Sequence, residues 1–144
     1  CRKAENEYVG VNCGLMDQFA CAFGVAGHAL ALDTRSLAWQ TLTLPKDVAI
    51  VIADSGIRRR LAASTYNSLR LDCQEAVERL RAWCSSLTSL RDVTPQFLQT
   101  HLGELPECVA RRALHVVAEM TRVEQAIGYL MEGDSAGYLI RPLA

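Results

Sequence analysis

The chain predicts an α+β fold, antiparallel strands followed by packed helices, on three observations. Residues 28–32 and 37–44 alternate along the chain as half-buried strands do. Residues 48–52 form a short, nearly continuous β-branched run. From residue 69 onward the apolar residues recur every three or four positions, the period of helices with one buried face. Strands gathered early and helices gathered late argue against alternating βαβ units.

The first clear element is a helix that starts just after Gly14 and runs to about Phe23, with Asp17 in its first turn. Residues 2–5 also read as helical. Gly24 and Gly27 bracket a turn, and the strand at His28–Leu32 follows. Asp33-Thr34-Arg35-Ser36 is a polar turn leading into the second strand, a hairpin partner for the first. That strand sets Trp39, Thr41 and Thr43 against Gln40, Leu42 and Leu44, and Pro45-Lys46-Asp47 ends it. Val48 to Ile52 is the expected buried central strand.

The helical part begins with a stripe of Leu69, Cys73, Ala76, Val77, Leu80, Trp83 and Cys84. Ser85 to Ser89 is a short polar connection. Thr94-Pro95 pairs a capping residue with proline at the first helical position, which starts a short helix to about His101. Pro106 opens the last long helix, with Val109, Ala113, Val116, Val117, Met120, Val123, Ile127 and Leu130 on its apolar stripe. Gly133 ends it.

A chain of 144 residues can bury about 68–70% of its unfolded surface. Half of its residues are hydrophobic and 22% are charged, which fits a soluble globular protein. The net charge of −1 supplies no basic footprint for nucleic acid and no polybasic face for a membrane. No apolar run reaches the roughly 18 residues of a membrane span. The cysteines stand at positions 1, 13, 21, 73, 84 and 108, with no C-x-x-C pair, so a zinc site is not expected. Free cysteines of this kind suit a reducing, cytoplasmic compartment.

Among residues able to carry chemistry, Asp17 stands out. A carboxylate in a first helical turn is stabilised by about 0.3–1 kcal/mol when exposed, so it is ionised and oriented. Position alone leaves two readings open, a base and a plain first-turn acid. Glu5 on its own reads as a solvated helix residue, Gly14 as a turn glycine, and Tyr66 as a half-buried packing residue with a wet hydroxyl. Cys13 lines a pocket or fills space, and packing is the expected role. Arg58, Arg59 and Arg60 are the only cationic cluster, at an expected strand-to-helix junction, where a solvated surface is the simpler reading than an anion site. His28, His101 and His115 have no spacing for a metal or a triad, and His115 reads as a partnered structural histidine.

Lys3-Ala4-Glu5-Asn6 followed by Val9-Gly10-Val11-Asn12-Cys13-Gly14-Leu15-Met16-Asp17-Gln18 resembles the signature of the galactokinase family. The likeness continues through residues 27–37, 51–58 and 64–67, then Cys73, and resumes at 111–119, reaching about Asp134. The resemblance implies part of a two-lobed small-molecule kinase fold, shared with homoserine, mevalonate and phosphomevalonate kinases. It implies an ATP-dependent sugar kinase that phosphorylates the anomeric hydroxyl of D-galactose. It gives Asp17 the role of catalytic base, Glu5 that of a ligand to the Mg²⁺ that accompanies ATP, and Gly14 and Tyr66 contacts to the sugar.

The resemblance also implies an organisation. Residues 1–60 would end the N-terminal lobe and carry the Glu5/Asp17 site, residues 61–134 would lead helically into the C-terminal lobe, and residues 135–144 form an atypical tail. The family's sugar-anchoring segment, its phosphate loop and its C-terminal Gly-rich motif have no counterpart here. With Cys1 rather than Met at the start, the chain reads as an internal piece of a longer protein, inactive alone. A non-catalytic galactose- and ATP-sensing paralogue is the alternative function.

Overall fold

The computed structural model describes residues 3–10, 13–47, 49–54, 56 and 63–133, with backbone alone over 63–66. The chain divides into two compact units, residues 1–60 with 124–144, and residues 61–123.

The first unit opens with a π-helical turn, Ala4–Val9, closed by Gly10 at φ 76°. Only glycine takes that left-handed geometry without cost. Helix α1, Met16–Phe23, follows. It ends at Gly24, whose N–H donates to the Ala20 carbonyl at 2.9 Å. A Cβ at Gly24 would stand 2.6 Å from that same oxygen, so the chain can turn away there only without a side chain. Strands β1, His28–Leu32, and β2, Trp39–Thr43, pair antiparallel, with Leu30 opposite Thr41 and Leu32 opposite Trp39. In the turn between them the Asp33 carboxylate accepts from the backbone N–H of Arg35 and Ser36, at 2.8 and 3.2 Å. The rings of Phe19 and Phe23 on α1 meet Trp39 on β2, with centroids 6.0 and 5.2 Å away. That aromatic triangle fixes α1 on the hairpin.

The expected central strand at 48–52 does not form. Residues 49–52 lie outside any sheet, with Ile50, Val51 and Ile52 exposed at 76, 86 and 91%. Val48 falls outside the described residues. β-Branching gives a segment the propensity for a strand but not the neighbour whose ladder makes it one. β1 and β2 satisfy each other, and among the described residues no third strand joins them.

The second unit is built around one apolar core. Helix α2 spans Ala63–Leu80, α3 Pro95–His101, and α4 Glu107–Glu132. Ala76, Val77 and Leu80 of α2 cluster with Leu98 of α3 and with Val109, Ala113 and Val117 of α4. Thr94 caps α3, its side-chain oxygen accepting from the N–H of Phe97 at 3.2 Å, and Pro95 fills the first turn as expected. The connection between α2 and α3 is more structured than its polar residues suggest. Leu87, Leu90 and Val93 are core residues. Ser89 and Asp92 form a reciprocal capping box on a short 3₁₀ turn, Leu90–Asp92, in which the Asp92 carboxylate also accepts from the Thr88 hydroxyl at 2.6 Å. Some expectations for this half change: Trp83 lies past the end of α2, half exposed and stacked on His101, and His115 is exposed on α4 rather than packed. Val123 is likewise exposed, while Gly133, at φ 70°, follows the last helical residue as predicted.

Candidate functional site

Glu5 is the centre of the best-defined polar arrangement in the first unit. Its segment is a π turn, a geometry enriched at functional sites. The Cys13 thiol donates to Glu5 Oε2 at 2.9 Å, and the Gln18 side-chain amide donates to Glu5 Oε1 at 3.0 Å. Cys13 Sγ also lies 3.4 Å from Asn6 Oδ1. The π turn, the loop before α1 and α1 itself are thus tied together through one carboxylate. The two hydrogen bonds, that from Cys13 first, hold the Glu5 carboxyl below its usual pKa. The same contact pushes the Cys13 thiol up, because a neighbouring anion disfavours the thiolate. Cys13 is therefore a hydrogen-bond donor to Glu5, where the sequence suggested packing. Nothing periodic in the sequence marks this triad, since its members sit eight and thirteen residues from Glu5.

Asp17 precedes Gln18 in the first turn of α1 and is exposed. No side chain caps that helix end, so the Asp17 carboxylate stands beside backbone donors of the first turn. It is free to accept a hydrogen bond from a hydroxyl brought to it. Gly14, in the loop between Cys13 and α1, is exposed, and a Cβ there would meet nothing within 4 Å. Among the described residues nothing requires glycine at that position. Tyr66 falls in the first turn of α2, in the second unit, where its side chain lies outside the described residues. Arg58, Arg59 and Arg60 also lie outside them.

The described cysteines, Cys13, Cys21, Cys73, Cys84 and Cys108, are free thiols. Among the described residues no three His, Cys, Asp or Glu side chains group as a metal cage. A single ionised carboxylate with lone pairs left over is still a fitting donor for Mg²⁺, which takes one or two carboxylates and completes its shell with phosphate oxygens and water. Glu5 meets that description, since each of its oxygens accepts one donor and can accept more. Among the described residues no helix is long and apolar enough to cross a membrane.

No family model matches the chain. Curated relatives do. The chain is 47% identical to a galactokinase of Roseiflexus sp. (strain RS-1) over 135 residues, 94% of its own length and 34% of the relative's. It is 42% identical to a galactokinase of Chloroflexus aurantiacus over 131 residues, again covering 34% of that protein. Among solved structures it superposes on Lactococcus lactis galactokinase complexed with galactose, with a TM-score of 0.85 and 29% identity over 95% of this chain and 36% of that one. The chain thus spans about a third of the length of the relatives it matches. Its 42–47% identity to these relatives over nine-tenths of its length, with the shared fold, places it in the galactokinase family, as a stretch equivalent to one third of a family member.

Proposed function

We propose that the chain contributes the acid–base half of an ATP-dependent galactokinase, one that transfers the γ-phosphoryl group of ATP to the anomeric hydroxyl of D-galactose. The observation that carries this reading is the superposition on a galactokinase complexed with galactose, in a chain whose Glu5 carboxylate is clamped by Cys13 and by Gln18, the residue that follows Asp17.

Asp17 orients the sugar hydroxyl by accepting its hydrogen bond. As the oxygen–phosphorus bond forms and the bond to ADP breaks, the hydroxyl proton passes to the Asp17 carboxylate. Proton and phosphoryl group thus leave and arrive in balance. Gly14 offers the sugar a backbone unobstructed by a side chain. Tyr66 supplies a hydroxyl to the same substrate. Glu5, kept ionised by Cys13 and Gln18, is the protein's ligand to Mg²⁺. When bound with ATP, that ion neutralises charge on the phosphate oxygens. The free thiols fit a cytoplasmic setting. Residues 1–60 act as the site-bearing end of an N-terminal lobe and residues 61–134 as the way into a second lobe.

The isolated chain has no segment resembling a phosphate-cradling loop, so it should neither turn over nor bind ATP measurably by calorimetry. A chimera in which it replaces the matching third of the Roseiflexus sp. galactokinase is the decisive form. That chimera should release ADP in a galactose-dependent way, and Asp17→Ala should lower the rate by at least ~100-fold, the scale of a lost general base. Full activity in Asp17→Ala would remove the base assignment. Binding of both ligands without turnover would favour a sensing paralogue instead.

A further inference from the structure

Resting on that reading of Glu5, we propose that Cys13 and Gln18 are positioning residues, which clamp the two oxygens of the Glu5 carboxylate so that it meets a hydrated divalent cation in one orientation.

Glu5 stands on a π turn at a partly exposed position, and its long side chain has several rotamers. Two donors from separate segments remove that freedom. Cys13 takes one lone-pair site on Oε2 at 2.9 Å, and Gln18 takes one on Oε1 at 3.0 Å. An ionised carboxylate accepts at about four such sites, so each oxygen keeps one open. The thiol hydrogen has two acceptors within reach, and the charged one is the nearer, as a charge-assisted bond should be.

The Gln18 amide adds a second, independent observation. A carboxylate only accepts, so the amide must turn its NH₂ toward Glu5, which fixes where its oxygen goes. That oxygen, Gln18 Oε1, is buried and has no hydrogen-bond partner among the described residues. A buried amide oxygen is costly to leave unpaired. A water in the shell of a cation held by Glu5 is a donor that would satisfy it. Gln18 therefore does two things with one amide: it orients the ligand carboxylate and presents an acceptor beside it.

The test uses the chimera with the Roseiflexus sp. galactokinase, made inert to turnover by Asp17→Asn, with Mn²⁺ and ATP as the probe. Mn²⁺ binding is read by electron paramagnetic resonance and galactose binding by calorimetry. Cys13→Ala and Gln18→Leu should each weaken Mn²⁺ roughly tenfold, the usual cost of losing a partner of a ligand. Cys13→Ser, which keeps a donor, should restore most of that loss, and galactose affinity should hold throughout. With Asp17 intact, the Mg²⁺ needed for half-maximal rate should rise in the same two variants while KM for galactose holds. Unchanged Mn²⁺ affinity in both variants overturns the positioning role while leaving the kinase reading standing. So does a parallel loss of galactose binding, which would mark a collapsed site. A parent chimera that binds no Mn²⁺ with ATP overturns both readings.

Discussion

The two units of this chain are held together by different kinds of force. In residues 61–123, eleven buried apolar residues from three helices and their connections form one cluster. In the unit that carries Glu5 and Asp17, Leu42 is the only buried hydrophobic residue among those described, and Tyr8, Ile50, Val51 and Ile52 are largely exposed. Its order comes from a hairpin ladder, an aromatic triangle and the hydrogen bonds around Glu5. A core is non-directional and tolerant of small displacements, whereas polar contacts specify orientation at little gain in stability. The unit that carries the proposed site thus relies on directional contacts, and the other adds its caps to a continuous apolar core.

The largest effect should come from the core. Leu98 is fully buried, and Leu98→Ala should cost about 2–5 kcal/mol from lost burial and the cavity left behind. The matched substitution in the other unit, Ile50→Asn, should stay within about 0.5 kcal/mol. The chain's two tryptophans separate the readouts, since Trp39 stacks in the first unit and Trp83 on His101 in the second. Urea unfolding followed by fluorescence in Trp39→Phe reports the second unit, and in Trp83→Phe the first. A large loss from Ile50→Asn would mean that the β-branched run is packed after all.

Gly24 offers an intermediate effect within the polar unit. Gly24→Ala drives a Cβ into the Ala20 carbonyl, and the backbone must shift because neither atom is on a flexible side chain. The expected cost is about 1–3 kcal/mol, as for overpacking elsewhere. It should appear at Trp39, because α1 and β2 are joined through Phe23 and Trp39. An effect confined to Trp83 would contradict that route.

Local signals in the sequence proved sufficient wherever the structure is local. The helix at 95–101 has its cap and its proline and forms as read, and the hairpin has alternation and a polar turn and forms with its second strand at 39–43, inside the expected 37–44. The stripe of α4 was legible for the same reason: Val109, Ala113 and Val117 are buried and Val116, Met120, Ile127 and Leu130 half-buried, with Val123 the exception. What failed was non-local. Val48–Ile52 looks like a strand because strand propensity is local, yet a strand needs a neighbour that no pattern within the run can name. Leu87, Leu90 and Val93 sit in irregular connections with no period to betray them. At the site, Glu5 and Asp17 stood out through a motif, but the Cys13 and Gln18 contacts needed coordinates, because a loop's return path leaves no periodic trace.

The smallest expected effect is also the most selective, because it depends on protonation. In the second unit the hydrogen-bonded carboxylate that acid reaches, Asp92 of the capping box, is common to the native chain and Glu5→Gln. Glu5 differs. Its carboxyl is held below the ordinary value by Cys13 and Gln18, so its contribution is present above the ordinary carboxylate pKa and is lost as pH falls through the lowered folded value. The urea midpoint read at Trp39 should therefore differ between the native chain and Glu5→Gln near neutrality. That gap should close as the medium is acidified below the carboxylate range. At Trp83 the two chains should coincide at every acid pH. The alkaline side discriminates less, since the Cys13 thiol is raised by its contact with Glu5 and the Cys73 thiol, against the apolar core, by burial. Both contributions are present below the ordinary thiol pKa and fade as pH rises through the raised values. A gap at Trp39 that persists in acid would show that Glu5 matters there through shape rather than charge. The two units would then differ in packing alone.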